Sequence, residues 1–138
     1  MSARRPSPRF LLWALAIVLI DQATKLIVYR TMTLNGPPIP LLGDLLRLTY
    51  IHNAGAAFGL FQGSRWFFVG VSFLAMLVLV TLALSDKYRE ERFMVAFGLI
   101  FGGALGNLID RLWLGVVIDF IQMGVNGHYW PAIGRAHV

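Results

Sequence analysis

The feature that most constrains this chain is a set of long apolar runs. One of them, from Trp66 to Leu84, contains no charged residue. A helix needs about 20 apolar residues to cross roughly 30 Å of hydrocarbon, and this run has that length. Hydrophobic residues make up 57% of the chain and charged residues only 14%, far outside the range of soluble domains. The chain is therefore predicted to fold in a bilayer.

Two further runs have the same character. The first begins at Phe10, after several arginines, and continues to Tyr29, which is longer than the core of a cleavable signal peptide. The other extends from Phe93 to about Leu114 and contains small residues that let helices approach closely in lipid. These small residues are Gly98, Gly102, Gly103 and Gly106. The sequence thus predicts three membrane-spanning helices.

The loops predict the orientation of these helices. The basic N-terminal tail and the DKYREER turn, residues 86–92, lie on one side if both intervening helices cross, and the positive-inside rule places that side in the cytoplasm. The connection from Arg30 to Arg65 then lies outside. Its segment Leu46 to Ile51 is rich in β-formers and follows a proline-punctuated stretch, which predicts short strands resting on the outer membrane face.

Composition and spacing exclude several kinds of site. The chain has no cysteine, so it has no disulfide framework, thiolate metal site or cysteine nucleophile. His52, His128 and His137 lack a close ligand spacing and are interpreted as ordinary loop histidines, so no metal is expected. The formal net charge is +5, but the basic residues form no long basic face, and no nucleic-acid partner is predicted.

Polar residues in the first helix and in the connection after it allow two interpretations each. Asp21 and Lys25 are four residues apart and share a helical face; a structural ion pair is favoured over direct catalysis. The segment NAGAAFG, residues 53–59, is either a tight loop or a place where the backbone approaches an extended substrate.

Polar residues in and after the third helix raise a sharper question. Asn107 and Asp110 share a helical face beside Arg111, and Asp110 either accepts structural hydrogen bonds or serves a site. Asp119 stands between Ile118 and Phe120, where an unpaired carboxylate is costly, so it needs a partner from elsewhere. In an unbroken helix the two aspartates would lie about 14 Å apart on opposite sides and could not share a proton.

Three motifs together resemble those of the lipoprotein signal peptidase family, signal peptidase II. They are DQATK at residues 21–25, NAGAAFG at residues 53–59, and GGALGNLIDR followed by GVVIDF at residues 102–120. The resemblance covers nearly the whole chain in the right order. It implies an all-α polytopic membrane protein with a small extracytoplasmic β cradle. The family has four helices, so residues 1–138 are expected to form a single membrane-embedded peptidase-like domain with three helices, lacking the fourth.

The resemblance also implies an activity. It implies an aspartyl endopeptidase of the bacterial inner membrane, with its N terminus in the cytoplasm and its active site facing outward. Its substrates would be prolipoproteins whose cysteine carries diacylglycerol, cut before that cysteine by a water nucleophile without a cofactor. The chain would act as a monomer among membrane lipids. The implied residues are Asp119 as one catalytic acid, Asn53, Gly55, Phe58, Asn107 and Arg111 at the substrate, and Asp21, Lys25 and Asp110 as supporting groups.

The end of the chain departs from the family's pattern. The family's last motif reads approximately W-P-A-F-N-x-A-D-S, and the chain reads WPAIGRAHV. Gly134 stands in place of the asparagine and His137 in place of the second catalytic aspartate. An inactive truncated homologue and a noncatalytic prolipoprotein- or lipid-binding protein therefore stay open as alternatives. A small transporter is disfavoured, because its ionisable groups would lie near the bilayer midplane.

Overall fold

The computed structural model describes residues 7–53, 64–125 and 128–130. Helices and strands alternate in blocks, and a short 3₁₀ turn at Asp86–Tyr88 joins the second and third helices. The helices are α1 (Pro8–Thr31), α2 (Arg65–Leu84) and α3 (Glu91–Trp113). The strands are β1 (Ile39–Leu42), β2 (Leu46–Asn53), β3 (Val117–Val125) and β4 (His128–Trp130).

The three helices have the character of membrane spans. Among the described residues, α1, α2 and α3 are each long and apolar enough to cross a membrane. Large apolar side chains cover their outer surfaces; on α2, Leu74 and Leu77 are 62% and 63% exposed. Apolar surface of this extent is stable when the surroundings are lipid. The three predicted spans are confirmed, and their predicted ends agree with the observed ones to within a few residues.

Helix α3 approaches α1 closely at its glycines. A Cβ atom added to Gly98 or Gly102 would lie 2.7 Å or 2.6 Å from a backbone carbonyl oxygen of α1. A Cβ atom on Gly106 would collide with the carboxylate of Asp21. Gly103 has nothing within 4 Å of its Cβ position, so it does not contribute to this contact. Three of the four glycines singled out in the sequence thus bring the two helices together.

The start of α1 is fixed locally and by contacts with its neighbours. The side chain of Ser7 accepts a hydrogen bond of 3.2 Å from the backbone N–H of Arg9, which caps the helix. The guanidinium of Arg9 pairs with Glu91 at the start of α3. Phe10 is buried with Ala83 and Met94. These contacts hold the first turn of α1 beside the turn that joins α2 to α3.

The strands form one antiparallel sheet in the order β1-β2-β3-β4. In the central pair, Asn53 lies opposite Val117 and Ile51 opposite Asp119. The predicted strand from Leu46 to Ile51 is confirmed as part of β2, whereas β3 and β4 were not predicted as strands. The predicted combination of a helical membrane protein with a small sheet is confirmed.

The sheet is joined to the end of α1 by a small core. Val28 of α1, Tyr50 of β2 and Ile118 of β3 are buried against one another. Burial of side chains of this size stabilises the contact by about 1.5–3 kcal/mol each. The junction places the start of β3 directly beside the polar residues of α1 and α3.

Candidate active site

A buried lysine lies at the centre of the polar groups between α1 and α3. Lys25 is 4% exposed, and its Nζ atom lies 3.0 Å from Asp21 Oδ2 and 2.7 Å from Asp110 Oδ2. Nζ also donates a hydrogen bond of 3.0 Å to Asn107 Oδ1. The three donors of the ammonium group therefore have three acceptors. The ion pair expected from the spacing of Asp21 and Lys25 is present, and it extends to α3.

A second residue of α1 completes this cluster. The side-chain nitrogen of Gln22 lies 3.0 Å from Asp21 Oδ2, 3.1 Å from the carbonyl oxygen of Gly106 and 3.3 Å from Asp110 Oδ1. The sequence interpretation did not single out Gln22. The sequence could have indicated Gln22, because a carboxamide in a membrane-spanning helix requires hydrogen-bond partners.

Asp110 connects the helices to the sheet. It is 4% exposed, and besides Lys25 and Gln22 it accepts a hydrogen bond of 3.2 Å from the backbone N–H of Ile118. Of the two alternatives for Asp110, its contacts therefore fit the structural one, and its ion pair is with Lys25 of α1. The consequence is that β3 is held to α3 at the residue that precedes Asp119.

Asp119 reaches this region because the third helix ends before it. Helix α3 stops at Trp113, and Gly115 has a φ of +81°, a conformation that favours glycine and turns the chain into β3. Asp110 and Asp119 therefore do not lie on opposite sides of one unbroken helix. The Asp119 side chain borders a cleft of about 180 Å³ that Asp21, Lys25 and Asn107 also line. We call this space the acidic cleft.

The environment of Asp119 changes its protonation. Burial raises the pKa of the Asp119 carboxyl above its ordinary value. A hydrogen bond from the side chain of Asn53 and the charges of Lys25 and Arg111 lower this pKa, and the Asp110 charge raises it, but burial is the largest effect. A carboxyl whose pKa is moved toward neutrality is better suited to proton transfer than an ordinary aspartate.

Arg111 lies on the α2 side of this region. Its guanidinium carbon is 4.9 Å from the centre of the Phe68 ring, a cation–π distance. Its charge also acts on Asp119, as described above. Of the residues predicted at the substrate, the structure thus brings Asn53, Asn107 and Arg111 around Asp119. Gly55, Phe58, Gly134 and His137 lie outside the described residues.

The donor set of the cluster is that of an ion-pair network. The carboxylates of Asp21 and Asp110 have the Lys25 ammonium between them as counter-ion. In the ranges that the structure describes, no three His, Asp or Glu side chains are grouped in a way that could hold a metal ion.

Comparison with known proteins decides the family. A sequence profile described as signal peptidase (SPase) II matches residues 13–136. The chain belongs to the signal peptidase II family. The lipoprotein signal peptidase of Symbiobacterium thermophilum is 38% identical to it over 125 residues, which cover 91% of this chain and 82% of that protein. The lipoprotein signal peptidase of Geobacter metallireducens is 41% identical over 122 residues, with coverage of 86% and 75%.

Solved structures agree with this membership of the signal peptidase II family. One bacterial membrane enzyme superposes with a TM-score of 0.81 at 32% identity, covering 96% of this chain and 81% of that one. A second superposes with a TM-score of 0.78 at 33% identity, covering 96% and 85%. The resemblance stated from the sequence motifs is therefore confirmed, as are the fold class and the membrane character of the chain.

Proposed function

We propose that this chain removes the signal peptide from prolipoproteins that carry diacylglycerol on their cysteine, cutting on the amino side of that cysteine. Asp119 acts as a catalytic acid or base, and water is the nucleophile. The observation that carries this proposal is the position of Asp119, which borders the acidic cleft, accepts a hydrogen bond from Asn53 and has a pKa raised by burial.

Hydrolysis by an aspartyl pair begins with two proton transfers. One carboxylate takes a proton from water as the water oxygen bonds to the scissile carbonyl carbon, while a protonated partner donates to the carbonyl oxygen. When the tetrahedral intermediate collapses, the carboxyl that took the proton from water donates it to the nitrogen, the carbon–nitrogen bond breaks, and the partner carboxylate takes a proton back from the hydroxyl group. Asp119 supplies one of these groups. In the family's pattern the second acid corresponds to the position of His137.

Two features support binding of a peptide beside Asp119. The Oδ1 atom of Asn107 accepts from Lys25, which leaves its amino group as a donor for a substrate carbonyl. Ile121 and Met123 are 47% and 48% exposed and share the strand face of Asp119, because side chains alternate along a strand. The strand therefore offers an apolar surface next to the carboxyl, which suits the hydrophobic residues of a signal peptide.

The charge distribution supports an active site outside the cytoplasm of a bacterial inner membrane. Arg9 at the start of α1 and the basic residues of the α2–α3 turn lie at one end of the helices. The sheet and Asp119 lie at the other end, which the positive-inside rule places outside. A lipid-modified precursor would present its cysteine at that surface.

A noncatalytic protein that holds prolipoproteins is the second candidate. Its support is His137, which stands at the position of the family's second aspartate. An imidazole differs from a carboxyl in charge and geometry, so a chain with this exchange can hold a precursor beside Asp119 without cutting it. Both candidates use the acidic cleft, and they differ only in hydrolysis.

Cleavage of a defined substrate tests the proposal. The purified chain in lipid is given a diacylglyceryl-modified precursor peptide, and mass spectrometry measures both the released signal peptide and the bound precursor. We expect release by the parent chain and none by Asp119→Asn, while Asp44→Asn, a change at an exposed carboxylate in the β1–β2 turn, leaves release unchanged.

The remaining outcomes separate the two candidates. Equal release by the parent and Asp119→Asn would show that Asp119 has no catalytic role. Binding without release by the parent, with release gained in His137→Asp, would make the parent a binder that lost its second acid. Binding without release in both chains would overturn the hydrolytic proposal.

A further inference from the structure

A second depression, distinct from the acidic cleft, lies between α1, α3 and the start of β3. It has a volume of about 260 Å³ and borders Lys25 and Ile118, as the acidic cleft does, but does not include Asp119. Its walls are mostly apolar; Gln22 lines it as well, and so does Asp110, whose charge is paired with Lys25. We call it the rear crevice. The walls are formed by Leu26, Tyr29, Ile109, Trp113, Leu114 and Ile118.

The rear crevice is open to the bilayer rather than to another part of the described chain. Its rim residues Tyr29 and Trp113 are 58% and 84% exposed on two membrane-spanning helices. Tyrosine and tryptophan with a polar atom and an apolar ring are enriched at the depth of lipid headgroups and esters. A lipid that enters the crevice would therefore have its polar part at this rim.

Size and charge restrict what that occupant is. An apolar cavity of roughly 150 Å³ takes up benzene, so the rear crevice has room for a segment of one acyl chain. Arg30 follows Tyr29 in the last turn of α1 and is exposed, so a cation lies beside the rim. Guanidinium groups bind phosphate oxygens well.

We propose that the rear crevice binds one acyl chain of an anionic phospholipid of the bilayer. The chain lies along the apolar walls toward Gln22, the ester region lies between Tyr29 and Trp113, and the phosphate lies at Arg30. This lipid site is separate from the proposed hydrolysis and does not require it. Because Lys25 and Ile118 border both spaces, a bound lipid would also contact residues that hold the start of β3 in place.

Competition between two lipids tests the assignment. The full chain is placed in nanodiscs with equal amounts of phosphatidylglycerol and phosphatidylcholine, and native mass spectrometry counts the lipids that it retains. We expect one retained phosphatidylglycerol, preferred over phosphatidylcholine by about fivefold, the effect of one basic residue near an anionic headgroup. In Arg30→Gln this preference should fall to about onefold, while in Lys87→Gln, at the other end of the helices, it should not change.

A variant that fills the crevice distinguishes lipid bound there from lipid that coats the whole surface of the protein. Ile109→Trp adds a ring to the crevice wall, and Leu77→Trp adds the same ring on the exposed face of α2. We expect loss of the retained lipid in Ile109→Trp only. Equal retention by both variants, or an equal preference for the two lipids in the parent chain, would overturn the proposal.

A fluorescence measurement keeps the test valid if Ile109→Trp does not fold. Brominated phosphatidylglycerol should quench the emission of Trp113, obtained as the difference between the parent and Trp113→Phe, more strongly than brominated phosphatidylcholine. Displacement of the bound lipid by an equimolar diacylglyceryl-modified peptide would instead assign the crevice to the substrate's own chain and overturn the bulk-lipid assignment. All of these binding measurements are repeated in Asp119→Asn, so that a failure of catalysis does not affect them.

Discussion

The carboxylate of Asp110 accepts a hydrogen bond of 3.2 Å from the backbone N–H of Ile118. Ile118 is followed directly by Asp119, so a side chain of α3 holds the backbone next to Asp119. The two aspartates are nine positions apart in sequence and have different environments. Asp110 is almost fully buried and paired with Lys25, whereas Asp119 borders an open cleft.

We predict that Asp110→Asn loosens the start of β3. The change removes the charge that strengthens the hydrogen bond from Ile118, and such bonds contribute about 1.5–3 kcal/mol. Amide hydrogen exchange in the segment 115–121 should therefore become at least about tenfold faster, measured by mass spectrometry. Asp44→Asn is the control, because Asp44 is exposed in the turn between β1 and β2. Equal exchange in both variants would contradict a positioning role for Asp110.

We predict that Asp119→Asn stabilises the folded chain at neutral pH. The folded pKa of Asp119 is raised, so its ionisation favours the unfolded state, in which the pKa of aspartate is about 3.9. The stability that the protonated carboxyl contributes is complete below the unfolded pKa and is lost as the pH rises through the folded pKa.

Thermal unfolding of the parent and Asp119→Asn in detergent, followed from acid to neutral pH, measures this effect. The melting temperatures should differ least at acid pH, diverge in favour of the variant as the pH rises through this window, and differ by a constant amount above it. A variant that becomes less stable relative to the parent as the pH rises would show that the buried carboxylate is stabilising in its ionised form.

We predict that Asn53→Ala raises the pKa of Asp119 further. The Asn53 side chain donates a hydrogen bond that favours the ionised carboxyl and so lowers its pKa. Without this bond, fewer interactions counteract the rise in pKa that burial causes. Infrared titration of the carboxyl band, assigned by its absence in Asp119→Asn, measures the midpoint. If the chain is active, the limb of its pH–rate profile that depends on Asp119 should move to higher pH as well. A midpoint that stays in place or falls would show that Asn53 does not act on this carboxyl.

We predict that Gly102→Ala destabilises the helix pair and that Gly103→Ala does not. A methyl group at residue 102 would lie 2.6 Å from a backbone oxygen of α1, whereas at residue 103 it would meet nothing within 4 Å. Overpacking of this kind costs about 1–3 kcal/mol. At residue 103 alanine is the better helix former by about 0.8–1.0 kcal/mol. Unfolding of both variants in a denaturing detergent gives the comparison, and equal losses would show that α1 can move aside.

The sequence predicted the helices well because their signal is local. Each is a continuous apolar run of membrane-spanning length, and α2, predicted from Trp66, begins one residue earlier at Arg65. The later strands were not predicted because Val117 and Ile118 continue the apolar pattern of α3. Only Gly115, with its positive φ, marks the change of direction. Pairing of β3 with β2 depends on residues far away in the sequence, which no local pattern contains.

The same distinction applies to the site. The pair of Asp21 and Lys25 follows from their spacing in one helix. The contact of Lys25 with Asp110 joins residues that are 85 positions apart, so spacing says nothing about it. The motif resemblance directed attention to Asp119 and Asn53, but it did not indicate that Gln22 would hydrogen-bond to both Asp21 and Asp110.

The pairing of β2 with β3 has a consequence for biogenesis. Everything between Asn53 and Val117, including both α2 and α3, is synthesised after one partner strand and before the other. Asn53 therefore contacts Asp119 only after α2 and α3 have inserted into the membrane and the chain has come back to the side on which β2 lies. A nascent chain that stalls before that moment therefore lacks the strand pairing that brings Asn53 beside Asp119.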